Sequence, residues 1–177
     1  MSKSLNRRSF LAVSLSAGAM LPQVTEAATP KDTLVLAQAL DDMISLDPAE
    51  SFEISTGEIM GNCYDRLLRV DPVNPSQLVG DVARNWSVAA DGRTFQFELH
   101  PQLRFASGHP LTAEDVVFSL QRAVLLDKSP AFILTQLGLK KDSVRQRVAQ
   151  TGPLSLTIQV DRDLAPSFVY NCLTANV

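Results

Sequence analysis

The groups in this 177-residue chain whose chemistry is worth testing are few: His100 and His109, Cys63 and Cys172, the doublet Asp41-Asp42, and the triplet Ser107-Gly108-His109. A metal pair needs further ligands at close spacing. Turn-rich sequence separates the two histidines, with no carboxylate or thiolate set beside them, so both are expected at the surface. Ser107-Gly108-His109 lacks the Gly-x-Ser-x-Gly turn that exposes a nucleophilic serine, and no acidic partner follows in order. The glycines form no phosphate-cradling loop. Asp41-Asp42 precedes a turn and reads as a solvated pair. Two cysteines can pair in an oxidising compartment. Each lies on an apolar stretch that reads as helix, however, where a free thiol behaves as a small hydrophobe, and two unpaired core thiols are expected. These residues point to no catalytic set, no metal and no cofactor, and the chain reads as a binder and not as an enzyme.

The elements around them divide at about residue 27. Lys3, Arg7 and Arg8 form a positive start, and Phe10 to Leu21 is an uncharged apolar and small-residue run. Thr25-Glu26-Ala27 then offers small residues at the −3 and −1 positions of a cleavage site. This is the layout of a secretory signal over residues 1–27, cut after Ala27. Asn6-Arg7-Arg8-Ser9-Phe10-Leu11 matches the twin-arginine export pattern; the plainer alternative is an ordinary signal with two adjacent arginines. No cysteine follows the run, which predicts an exported periplasmic protein without a lipid anchor. Removing the segment takes away three positive charges and one negative, moving the formal net charge from −3 to −5. No basic patch remains for nucleic acid, and no apolar stretch reaches the ~20 residues of a membrane helix.

Along the remainder, Thr33–Gln38 reads as a buried strand, stopped by the Leu46-Asp47-Pro48 turn. Residues 56–69 carry Ile59, Met60, Cys63, Tyr64, Leu67 and Leu68 at helical spacing, with Ser55 or Thr56 as cap and Glu58 in the first turn. Asp71 to Pro75 is a loop. Asp91-Gly92 is a hairpin signal. Phe95, Phe97 and Leu99 alternate with Gln96 and Glu98, as on a half-buried strand. Leu103–Phe105 reads as a short strand ended by Ser107-Gly108. Thr112 and Asp115 form a capping box for a helix through about Leu126, buried along Val116, Val117, Leu120, Ala123 and Val124. Residues 144–148 and 154–160 read as a hairpin, and Pro166–Leu173 as a last apolar helix.

Four segments taken together resemble the family-5 extracellular solute-binding proteins of bacterial ABC importers, the dipeptide- and oligopeptide-binding type. They are Thr33–Ala37 with Ser45-Leu46-Asp47-Pro48, and Asn62-Cys63-Tyr64-Asp65-Arg66-Leu67-Leu68. The third joins Gly80-Asp81-Val82-Ala83-Arg84-Asn85-Trp86 to Asp91–Leu99, and the fourth is Phe105–Leu120. The joined third and fourth segments are the most specific, and each part has a structural reason: Trp86 as an aromatic anchor, Asp91-Gly92 as a turn, Thr112 as a cap. His100 stands where the family carries Lys or Arg, and Ala106-Ser107 where it carries His-Asp.

The resemblance implies an α/β fold of the periplasmic-binding-protein type II class, incomplete here. Residues 28–61 would open lobe I and carry a cleft loop, 62–160 would form a small mixed-sheet subdomain, and 161–177 would begin the return to lobe I. It implies capture of a peptide or peptide-like ligand, with an inner-membrane ABC permease as partner. The loop Ser51, Phe52, Glu53 and Ile54 would touch ligand; a plain surface loop is the alternative. Trp86 is expected to be substantially buried. Family members are several hundred residues long, so tight binding by this chain alone is not expected, and the apolar end from Phe168 is expected to fray. Twin-arginine export keeps a second reading open, a periplasmic enzyme carrying a cofactor.

Overall fold

The computed structural model describes residues 29–175; Arg7, Arg8 and Ala27 of the export signal lie outside them. The chain divides after Gln38 into two units. Of the first, the described residues 29–38 contain a turn closed by the Thr33 amide on the Pro30 carbonyl at 3.0 Å. Thr33–Gln38 is not a strand: Leu34 is 82% exposed, and Val35 and Leu36 are exposed with it. β-propensity measures fit to a pleated, half-buried surface, and among the described residues no strand pairs with this run.

The second unit contains, in chain order, α1 (Ile54–Cys63), β1 (Leu68–Val70), β2 (Leu78–Gly80), β3 (Ala83–Val88) and β4 (Thr94–Leu99). Then follow α2 (Ala113–Leu126), α3 (Ala131–Thr135), α4 (Val144–Arg147), β5 (Val148–Gly152), β6 (Ser155–Gln159) and α5 (Pro166–Cys172). Asp91-Gly92 closes the β3–β4 hairpin. Gly92 takes φ +67°, open to glycine at no steric cost, and the Asp91 carboxylate accepts the Arg93 and Thr94 amides, each at 2.9 Å. β4 is central: it pairs with β3 on one side and β6 on the other, in the order β3-β4-β6-β5. Its alternation is the expected one, with Phe95, Phe97 and Leu99 buried. Each such side chain contributes about 1.5–3 kcal/mol of hydrophobic stabilisation.

The sheet is antiparallel at every pairing and not mixed: β3–β4 and β5–β6 are hairpins, which tight turns can only join antiparallel, and the two hairpins meet antiparallel along β4 and β6. Leu103–Phe105 adds no strand to it. That segment folds back on itself, with the Phe105 amide on the His109 carbonyl and the Leu111 amide on the Leu103 carbonyl, both 2.9 Å, and keeps one bridge, Arg104 to Pro110. Val144–Arg147 is a helical turn, so the second hairpin starts only at Val148. α3 is only five residues long and follows directly on Pro130.

α1 ends at Cys63, not Arg69, and its N-cap is Glu53, not Ser55 or Thr56. The chain beyond is drawn into strand pairing. The Arg66 carbonyl accepts the Val82 amide at 2.8 Å, the Leu67 carbonyl accepts the Asp81 and Ala83 amides, and Asp81 accepts the Arg66 amide at 2.9 Å. Leu67 and Leu68 are therefore buried beside the sheet instead of on a helical stripe, and Cys63 is exposed, contrary to expectation. Cys172 is buried and free, with the Gln136 side-chain amide 3.3 Å from its sulfur; burial pushes its thiol pKa up.

α2 forms where its cap predicts. Asp115 Oδ2 accepts both the amide (2.8 Å) and the hydroxyl (2.7 Å) of Thr112, an arrangement that stabilises a helix start by about 1 kcal/mol. Leu120, Ala123 and Val124 are buried, with Val116 and Val117 partly so. α5 is seated on the core, with Val169, Cys172 and Leu173 buried. Its Tyr170 ring meets Phe95 edge-on at 5.5 Å and lies 6.4 Å from both Phe97 and Trp86. Trp86 is only partly buried, short of the depth expected, because it lies on β3, which has a neighbour on one side only.

Candidate functional site

The expected ligand loop grows out of a turn organised by one residue, Asp47. Its amide donates to Ser45 Oγ at 3.1 Å, and its Oδ1 accepts the Ala49 amide at 3.0 Å. Its carbonyl accepts the Glu50 and Ser51 amides at 3.0 and 3.2 Å. An aspartate that satisfies its own following amides favours such turns over helix or strand. The carboxylate is also gripped from α2: Arg122 Nη1 lies 2.7 Å from Oδ1 and Nη2 lies 2.5 Å from Oδ2. This is a bidentate fork. The Arg122 hydrogen bonds are the largest influence holding the Asp47 carboxyl below its usual pKa, and the Arg122 guanidinium is raised in turn.

The four predicted residues divide by direction. Ser51 is fully buried, and its hydroxyl has no hydrogen-bond partner among the described residues. Phe52 is 51% exposed and meets Phe132 of α3 edge-on, at 5.0 Å and 89°. Glu53 folds back on its own segment, where Oε2 accepts the Phe52 amide at 3.2 Å and the Thr56 hydroxyl at 3.4 Å. Ile54 begins α1 and is 82% exposed. The outward side chains are thus Phe52 and Ile54, apolar surfaces on a segment tied down from α2 and α3. Arg122 and Phe132 carry no mark in the sequence: the partners are brought together by tertiary packing, 75 residues apart in the first case.

A groove of about 820 Å³ opens beside the turn, lined among others by Leu46, Asp47, Tyr64, Phe105, Phe118 and Arg122. Ser51, Phe52, Glu53 and Ile54 do not line it. The Asp47–Arg122 pair therefore stands in the groove wall, with the loop continuing past it. His100 and His109 are exposed, as are Asp41 and Asp42. Among the described residues no three of His, Cys, Asp or Glu are placed to hold a metal ion, and no helix is long and apolar enough to cross a membrane.

Residues 77–165 match the family model "Bacterial extracellular solute-binding proteins, family 5 Middle". The chain belongs to that family. It is 32% identical over 111 residues to the probable D,D-dipeptide-binding periplasmic protein DdpA of Escherichia coli, covering 61% of this chain and 21% of the relative. The solved Escherichia coli murein tripeptide-binding protein MppA superposes with a TM-score of 0.62 at 27% identity, over 73% of this chain and 27% of that one. MoaA of A. tumefaciens R10, solved in complex with mannopinic acid, gives 0.62 at 27% identity, over 76% and 26%. The chain spans about a fifth of the length of the curated relatives it matches and about a quarter of the solved ones.

Proposed function

We propose that this chain is part of the solute-binding component of an ABC importer, exported to the periplasm, where it captures a peptide or peptide-like solute for an inner-membrane permease. Residues 1–27, with Arg7, Arg8 and Ala27, act as a twin-arginine export signal. Residues 28–61 open lobe I, 62–160 form the small subdomain, and 161–177 begin the return. The observation that carries the reading is the braced loop in a family of solute-binding proteins: Phe52 and Ile54 are held outward on a segment fixed by Asp47. Contacts to the main chain of an extended peptide give affinity with little selectivity. The names of the relatives support this breadth, since they include a D,D-dipeptide, a murein tripeptide and mannopinic acid. No bond is made or broken, and closure of two lobes retains the ligand.

Because the chain spans so little of its relatives, it holds one side of such a cleft. Micromolar binding is about −8 kcal/mol; if two sides share the contacts evenly, one retains roughly half, which is millimolar. Calorimetric titration of the exported chain with Ala-Ala and Ala-Ala-Ala tests this. Millimolar binding is expected. Micromolar binding overturns the one-sided account, and no response at tens of millimolar, on the order of ten times the expected constant, overturns the peptide reading. A stoichiometric flavin, haem or metal in the purified protein would favour the alternative, an exported cofactor-bearing enzyme.

A further inference from the structure

We propose that Arg122 is the positioning residue of the ligand loop, acting through Asp47; the proposal rests on the loop's being the ligand contact. Asp47 links the turn to α2, since its Oδ1 receives both the Ala49 amide and Arg122 Nη1. The second oxygen is held by Arg122 Nη2. The carboxylate plane is therefore fixed by the guanidinium, and the fixed carboxylate fixes the first amide of the turn. The Asp47 carbonyl next receives the Glu50 and Ser51 amides, which carry that orientation into Ser51–Ile54. The other end is held by Phe52 against Phe132. α2 and α3 thus each contribute one anchor to the same loop. α2 is itself rigid at its base, with the Thr112–Asp115 box at its start and Ala123 and Val124 of its last turns in the core.

A lysine cannot replace Arg122 in this role. It is a point charge on a flexible stem, without the planar fork that fixes two oxygens at once. Neither side chain is deeply buried, the pair being 36% and 29% exposed, so it contributes modestly to global stability. Its effect is local.

The test reads the loop directly, without needing the natural ligand. Amide hydrogen exchange is followed by NMR in the full chain and in Arg122→Gln, Arg122→Lys and Asp47→Asn. In Arg122→Gln the Ala49, Glu50, Ser51 and Phe52 amides should exchange about three- to tenfold faster, while Phe95, Phe97, Leu156 and Ile158 in the sheet keep their rates. Arg122→Lys should recover only part of the protection, and Asp47→Asn should resemble Arg122→Gln. Unchanged loop amides in Arg122→Gln overturn the proposal, as does an equal rise throughout the sheet, which would make Arg122 a general stabiliser. Should Arg122→Gln fail to fold, Arg122→Lys, which keeps the charge and loses the planar fork, decides the question by the same amides. Ala-Ala-Ala titrated into the wild-type sample separates the two readings. Faster loop exchange in the variants, with no wild-type shift of Phe52 or Ile54, keeps the positioning role and removes the ligand-contact reading.

Discussion

Phe95 offers the sharpest test of the fold. It is 0% exposed in the central strand, opposite Val88 of β3 and Ile158 of β6. Its ring meets the Tyr170 ring edge-on at 5.5 Å and 87°. Phe95→Ala removes a whole buried ring between two strands that cannot collapse without breaking their ladders, so the cost should be about 3–5 kcal/mol. About 0.5–1.5 kcal/mol of that is the lost aromatic pair. Against a total of ~5–15 kcal/mol for a domain, this is about a fifth of the stability or more. With a urea dependence of about 2 kcal/mol per molar, the midpoint should fall by roughly 2 M. Trp86 is the only tryptophan and lies 6.4 Å from the same Tyr170 ring, so its fluorescence reports the cluster that the substitution disturbs. Trp86→Ala, followed by circular dichroism instead, should cost about half as much, since Trp86 lies partly open on an edge strand. A loss below about 1 kcal/mol for Phe95→Ala, or a loss for Trp86→Ala exceeding that for Phe95→Ala, would show that the core has been located wrongly.

Gly138→Ala should lose about 2–3 kcal/mol in the same assay: its φ of +82° costs a side chain about 1–2 kcal/mol, and a Cβ there would lie 2.0 Å from Asp161 Cγ. A loss of only about 1–2 kcal/mol would mean that the Asp161 segment moves aside and the backbone cost alone remains. Acid should weaken the turn at Asp47. Its folded pKa lies below the usual 3.8, so the carboxylate's contribution is present above the unfolded value and is lost as pH falls through the folded one. Urea midpoints from pH 6 down to pH 2 should therefore converge for wild type and Asp47→Asn below about pH 4, and a constant gap would refute the linkage.

What the sequence determined by itself is local. Phe95, Phe97 and Leu99 alternate whatever surrounds them, Asp91-Gly92 supplies its own turn, Thr112 and Asp115 cap their own helix, and Pro166 starts α5. The family was legible for the same reason, since its most specific segments are these self-sufficient devices. The tertiary structure decided wherever two distant segments compete for one. Leu67 and Leu68 fit a helical stripe as well as a strand, and no breaker stands between them and Cys63. Backbone pairing with Asp81–Ala83 draws them out of the helix. Val144–Val148 has the residues of a strand, but only from Val148 does it meet β6. Thr33–Gln38 has strand propensity and no strand beside it among the described residues, so the propensity goes unused. At the candidate site the loop itself was visible beside Leu46-Asp47-Pro48, whereas its braces were not. Arg122 and Phe132 look like any surface arginine and any helical phenylalanine until α2 and α3 pack, because a hydrogen bond across 75 residues leaves no periodicity to read.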